Sequence, residues 1–220
     1  RAPLSRWAAW LALPSGLVWL GYVVFEIAGG LGETAHLKFI ALFVSADFGR
    51  AWLAHLIATA VAVILALQAP APSRALAIAS GLALATPAGF GHAAAAEGVL
   101  GLLRLANDAL HLLAAGAWLG ALAPLHQALR ESSLAEAEHI TKRFSRGAYI
   151  SVALLMVTGS LNVVFTTHAL LPAANTAYGR WLVLKLFGAS ALLAIAAFNR
   201  FALSRPLQPL ALRRTIVLEH

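Results

Sequence analysis

The stretch RLANDALHLLAAGAWLGAL, from Arg104 to Leu122, decides the fold. Leu, Ala, Gly and Trp dominate it, as in a helix bathed in lipid, yet Asn107, Asp108 and His111 stand together near its start. At helical spacing Asp108 precedes His111 by three residues and Asn107 by four, so all three share a face that Ala115 and Trp118 continue. A charged group at membrane depth costs about 3 kcal/mol on insertion scales, so such groups face a bundle interior and mark a pathway or a site. An acid beside a histidine also orients the ring and raises its basicity. The competing reading makes Asp108 a wet helix-start residue and His111 a hydrogen bonder between helices. Gly116 and Gly120 form a small-xxx-small pair suited to close helix packing.

The rest of the chain agrees with a membrane helix. Of 220 residues, 60% are hydrophobic and 11% charged, with a mean hydropathy of +0.79. A soluble domain of this size needs about twice that charge to cover its surface. Apolar segments long enough to cross a hydrocarbon core of roughly 30 Å recur. They place spans near Arg6–Ile27, Phe48–Leu67, Arg74–Phe90, Leu102–Leu125, Ser145–Phe165 and Arg180–Phe201. The third, RALAIASGLALATPAGFGH, is short and ends against Pro87, Gly89 and Gly91. With no long linker, low-complexity tract or internal repeat, residues 1–220 read as one all-α, polytopic transmembrane domain of about six spans.

Charge then gives direction. Six spans put Arg1, Arg6, Arg74, Arg130, Lys142, Arg143, Arg146, Arg200, Arg205, Arg213 and Arg214 on one side. Lys38, Arg50, Arg104 and Arg180 fall on the other, with Lys185 inside the last span. Cationic loops stay in the cytoplasm, so both termini are expected there. The net charge of +7 is therefore a topology signal rather than a nucleic-acid footprint. No cysteine is present, which excludes disulfides, thiolate metal sites and thiol redox chemistry.

On this topology imidazoles and carboxylates gather at the outer face. His36, His92 and His168 fall in outer loops, and Glu97 follows His92 in GFGHAAAAEG. His55 and His111 lie in the outer halves of their spans. His92 is a candidate ligand beside His111, whereas a solvated loop is the competing reading for His36 and His168. For His55 the competing reading is a hydrogen bond to a neighbouring helix. Met156 is the only methionine; a copper(I) relay uses several, and a lone Met is commonly a gap filler. Thr158 and Asn162 could hydrogen-bond across helices, and Lys185 could snorkel outward. Trp52, Trp118 and Trp181, near span ends, fit an interfacial aromatic belt.

Together the segments GHA, NDALHLLAAGAWLG, RFSRGAYISVALLMVTGSLN, YGRWLVLKL and AAFNR, from about Gly91 to Arg200, resemble the copper-resistance protein D (CopD/PcoD) family. DFGRAWL, Asp47 to Leu53, is similar to its earlier signature. The resemblance implies an inner-membrane protein that moves copper toward the cytoplasm, paired with a periplasmic CopC-like copper-binding protein. It implies metal ligation by His92 and His111, and Asp108 stands where relatives place a second histidine. The family's eight or so spans imply one more on either side of the six read here.

The leading expectation is thus a non-enzymatic copper carrier in a bacterial inner membrane. Its metal ligands are drawn from His92, His111, Asp108, His55 and His36, with Asn107, Glu97, Met156, Asn162 and Lys185 behind them or along the path. Imidazole with carboxylate suits Cu(II) better than a thioether ladder does. Two alternatives stay open. His55 and His111 at matching depth could ligate haem b axially, or the polar outer face could dock a partner in an assembly subunit. Neither an HExxH metalloprotease signature nor a Gly-x-Ser-x-Gly elbow is present.

Overall fold

The computed structural model describes residues 4–28, 46–68, 73–90, 98–167 and 176–198. All regular structure among them is helical: α1 (Leu4–Ala28), α2 (Asp47–Gln68), α3 (Arg74–Ala85), α4 (Gly98–Gly120), α5 (Leu122–Glu131), α6 (Leu134–Thr167) and α7 (Ala177–Phe198). The fold is all-α, as the apolar periodicity required. Helices α1 to α6 belong to one compact unit, Arg1–His168, and α7 to a second, Ala169–His220. In the first unit α1 packs on α2, α2 on α3, α3 on α4, and α4 most extensively on α6. By length and composition Asp47–Gln68, Gly98–Glu131 and Ala135–Thr167 can each cross a membrane. Leu, Ile and Val side chains stand exposed along these helices, the outer surface expected of a bundle in lipid.

Proline and small residues set the breaks. Ser73 caps α3 by accepting from the Leu76 N–H at 3.1 Å. After Ala85 the chain tightens into a 3₁₀ turn, Thr86–Phe90. Pro87 has no N–H, so the Ala83 carbonyl lacks its usual helical partner four residues on. Pro124 acts likewise on α4, which ends at Gly120 where the sequence predicts continuous helix to Leu125. Gly98 opens α4 at φ 65°, a left-handed conformation that favours glycine.

Residues 126–144, read from their charge as a loop, are mostly helix. α6 runs 34 residues, roughly 51 Å at the helical rise, longer than the roughly 30 Å of a hydrocarbon core. Ser133 and Glu136 form a capping box at its start: the Ser133 N–H and hydroxyl donate to the Glu136 carboxylate at 2.9 and 2.7 Å. Those bonds hold the Glu136 carboxyl below its ordinary pKa, and the Lys142 ammonium does the same for Glu138.

The tryptophans correct one expectation. Trp52 is 1% exposed and Trp118 is buried too, so both belong to the core rather than to an interfacial belt; Trp181 is exposed and fits one. Trp52 packs on Trp19, ring centroids 4.9 Å apart, and meets His55 edge-on at 5.3 Å. Small residues beside these large rings let the helices approach. A Cβ added at Gly116 would come within 2.5 Å of Leu84 on α3, whereas one at Gly120 meets open space among the described residues. Of the expected glycine pair, Gly116 alone packs closely. Gly116→Leu should therefore destabilise the protein in detergent by about 1–3 kcal/mol, with partial rescue by Leu84→Ala. Gly120→Ala should leave the melting midpoint unchanged or slightly raised.

Candidate functional site

The polar face of α4 meets α6, and the contact is a chain of hydrogen bonds. Asn107 Nδ2 donates to the Thr158 carbonyl at 3.0 Å and to Asn162 Oδ1 at 2.7 Å. Asn162 Nδ2 donates in turn to Asp108 Oδ1 at 3.0 Å. His111 Nδ1 lies 2.9 Å from Thr158 Oγ1. The Thr158 side chain, 2% exposed, donates its hydroxyl to the Leu154 carbonyl at 2.6 Å. Thr158, Asn162 and Leu154 share one face of α6 by the same spacing rule that unites Asn107, Asp108 and His111 on α4. The seam begins roughly 14 Å along α4 from its start at Gly98, taking 1.5 Å per residue.

This geometry fixes the tautomer of His111. A hydroxyl has one proton, and a carbonyl oxygen can only accept. Thr158 gives its proton to Leu154, so it accepts from His111, and the ring carries its proton on Nδ1. In the neutral ring the lone pair is then on Nε2, one of the two ring nitrogens through which imidazole ligates metals. Gly159 lies against the ring: a Cβ there would stand 3.4 Å from His111 Cε1, in van der Waals contact. The sequence reading expected Asp108 to orient this ring through a ring nitrogen. Thr158 takes the Nδ1 position instead, while Asp108 is held by Asn162.

His55 repeats the device on α2. Its Nδ1 lies 3.0 Å from the Ala83 carbonyl and 2.9 Å from Thr86 Oγ1, and Thr86 itself donates to Ala83 at 3.0 Å. Both neighbours act as acceptors, so His55 is also protonated on Nδ1. The carbonyl that receives it is the one Pro87 leaves without a helical donor.

The structure thus gathers Asn107, Asp108, His111, Thr158 and Asn162 and sets other expected residues apart. His55 is anchored on α3, whereas His111 is anchored on α6. This geometry gives no support to a haem held between them. Met156 is 60% exposed, outside the seam, and Lys185 is exposed on α7. His36, His92, His168 and Glu97 lie outside the described residues. Among those described, no group of three or more His, Cys, Asp or Glu side chains could hold a metal ion. Arg104, one turn before Asp108, lies over the Phe165 ring at 5.2 Å; the sequence reading missed this cation–π contact, which joins α4 to α6 at the end of the seam nearer Gly98.

Two family profiles match the chain. One, described as Copper resistance protein D-like, N-terminal domain, covers residues 1–102; the other, Copper resistance protein D, covers residues 138–220. The chain belongs to the copper resistance protein D family. It is 30% identical over 161 residues to the inner membrane protein YebZ of Escherichia coli (strain K12), covering 71% of this chain and 55% of the relative. It is 29% identical over 169 residues to Copper resistance protein D of Pseudomonas syringae pv. tomato, covering 72% and 54%. The chain spans about half the length of these curated relatives. No solved structure matches it.

Histidine-labelled ¹⁵N spectra of the metal-free protein test the two anchored rings. His111 and His55 should both report the Nδ1–H tautomer. Thr158→Val should shift His111 toward the Nε2–H form and leave His55 unchanged. Pro87→Ala, which restores a backbone donor to the Ala83 carbonyl, should do the reverse.

Proposed function

We propose that the chain accepts copper at the outer, periplasmic face of a bacterial inner membrane and passes it toward the cytoplasm, His111 being a ligand in the outer half of the bundle. The observation that carries this reading is the α4–α6 seam. It holds an imidazole through Nδ1 one turn from a carboxylate, within helices long and apolar enough to span a bilayer. His111 and Asp108 supply two donors. Residues 91–97 join the 3₁₀ turn, which packs on α4, directly to the start of α4. His92 and Glu97 are therefore close in sequence to the mouth of the seam and are proposed to complete the site, with His36 and His55 as further donors.

Nitrogen and oxygen donors without thiolate favour Cu(II) or a labile Cu(I) over a permanently bound ion. That suits cargo, which must leave as well as enter. Six spans with both termini cytoplasmic, read from the cationic asymmetry, put the seam on the periplasmic side. There a CopC-like copper-binding protein, which the family resemblance implies, could deliver the ion.

Copper titrations of the purified chain test this reading. Asp108→Asn should keep the fold and weaken binding by about 10–100-fold, the usual cost of disturbing a group beside a metal ligand. His111→Ala should weaken it further, because a ligand is lost. If folded protein carrying either substitution binds copper as well as the wild type, the seam is packing alone and the proposal fails.

A further inference from the structure

Toward the other end of the α4–α6 pair, α4, α5 and α6 enclose an open-sided cavity of about 520 Å³. Its walls are chiefly apolar, with Trp118, Leu125, Phe144 and Ala148 among them. Two basic side chains, His139 and Arg143, join them from the first turns of α6. No carboxylate lines the cavity. Nearby acids are engaged elsewhere: Glu138 pairs with Lys142, Glu136 with Ser133, and Glu131 accepts from Gln127. Arg143 forms no ion pair among the described residues and is exposed.

We propose that this groove seats one acidic phospholipid, its phosphate on Arg143 with His139 alongside and an acyl chain running toward Trp118 and Ala148. Three observations favour that occupant. The cavity is open rather than enclosed and lies between helices apolar enough to cross a membrane. From His139 to Ser151 its α6 wall extends roughly 18 Å along the helix, room for a headgroup and part of a chain. Its charge is cationic at the polar start of α6 and absent deeper in. An apolar slot beneath a basic rim is the arrangement by which basic pockets between membrane helices select anionic headgroups. The cavity shares no residue with the polar seam, so the proposal stands independently of copper binding.

The test is native mass spectrometry of the full chain extracted from bilayers of equal phosphatidylglycerol and phosphatidylethanolamine. The wild type should retain a single phosphatidylglycerol in preference to phosphatidylethanolamine. Arg143→Gln should lower that retention about fivefold, the effect of one cationic contact at a membrane surface. Gly147→Leu grows a side chain from a position with nothing within 4 Å and should fill the slot and abolish retention. Both variants should keep the wild-type melting midpoint and copper titration, and Arg74→Gln, an exposed cation elsewhere, should retain lipid normally. Equal retention of the two lipids, or retention unchanged in both groove variants, would overturn the proposal. So would displacement of the lipid by millimolar inorganic phosphate, which would reveal a free-anion site instead.

Discussion

A threonine hydroxyl has a single proton, and at Thr158 the α6 backbone takes it. The form of His111 at the α4–α6 contact follows from that constraint. Because Leu154 receives the hydroxyl proton, the same oxygen accepts from His111, and the ring is held as the Nδ1–H tautomer. Asn162, one turn along, uses its oxygen for Asn107 and its amide for Asp108. The seam is thereby largely satisfied from within, the condition under which polar side chains are tolerated at membrane depth. Single interhelical hydrogen bonds in membrane proteins average only about 0.6 kcal/mol. The seam's importance therefore lies in orientation: it aims one imidazole and one carboxylate from neighbouring positions of α4.

The histidine of α2 is held by a different backbone solution with the same chemical result. At His111 the acceptor is a hydroxyl whose proton goes back to its own helix. At His55 the acceptors are Thr86 and a carbonyl left over by a proline. Gly159 lies beside the His111 ring on α6. Two of the helix breaks in this fold carry a proline. Pro87 adjoins an anchored histidine, and Pro124 lines the groove under the first turns of α6.

Most of the architecture was legible because hydrophobic length is an unambiguous signal. The helix boundaries of α1, α2 and α7 fall within a few residues of the apolar segments that announced them. The face shared by Asn107, Asp108 and His111 was legible from spacing alone, and so was the availability of Thr158 and Asn162. The pairing was not. Spacing says which residues share a face but not which face of which helix lies opposite, so Thr158 rather than Asp108 as the partner of His111 Nδ1 emerged only from packing. The early start of α6 was hidden because its first turns are charged, and charge reads as loop. Trp52 was misread for a related reason. A tryptophan near a span end fits the interface by default, and only its contacts with Trp19 and His55 reveal it as core.

The central claim is that His111 binds copper as an imidazole ligand without help from sulfur. X-ray absorption on the copper-loaded protein, in wild type and in His111→Ala, addresses it directly. The account predicts a nearest shell of nitrogen and oxygen with imidazole scattering that diminishes in the variant. A sulfur neighbour, which could come only from Met156, or a spectrum identical in the two proteins would contradict it.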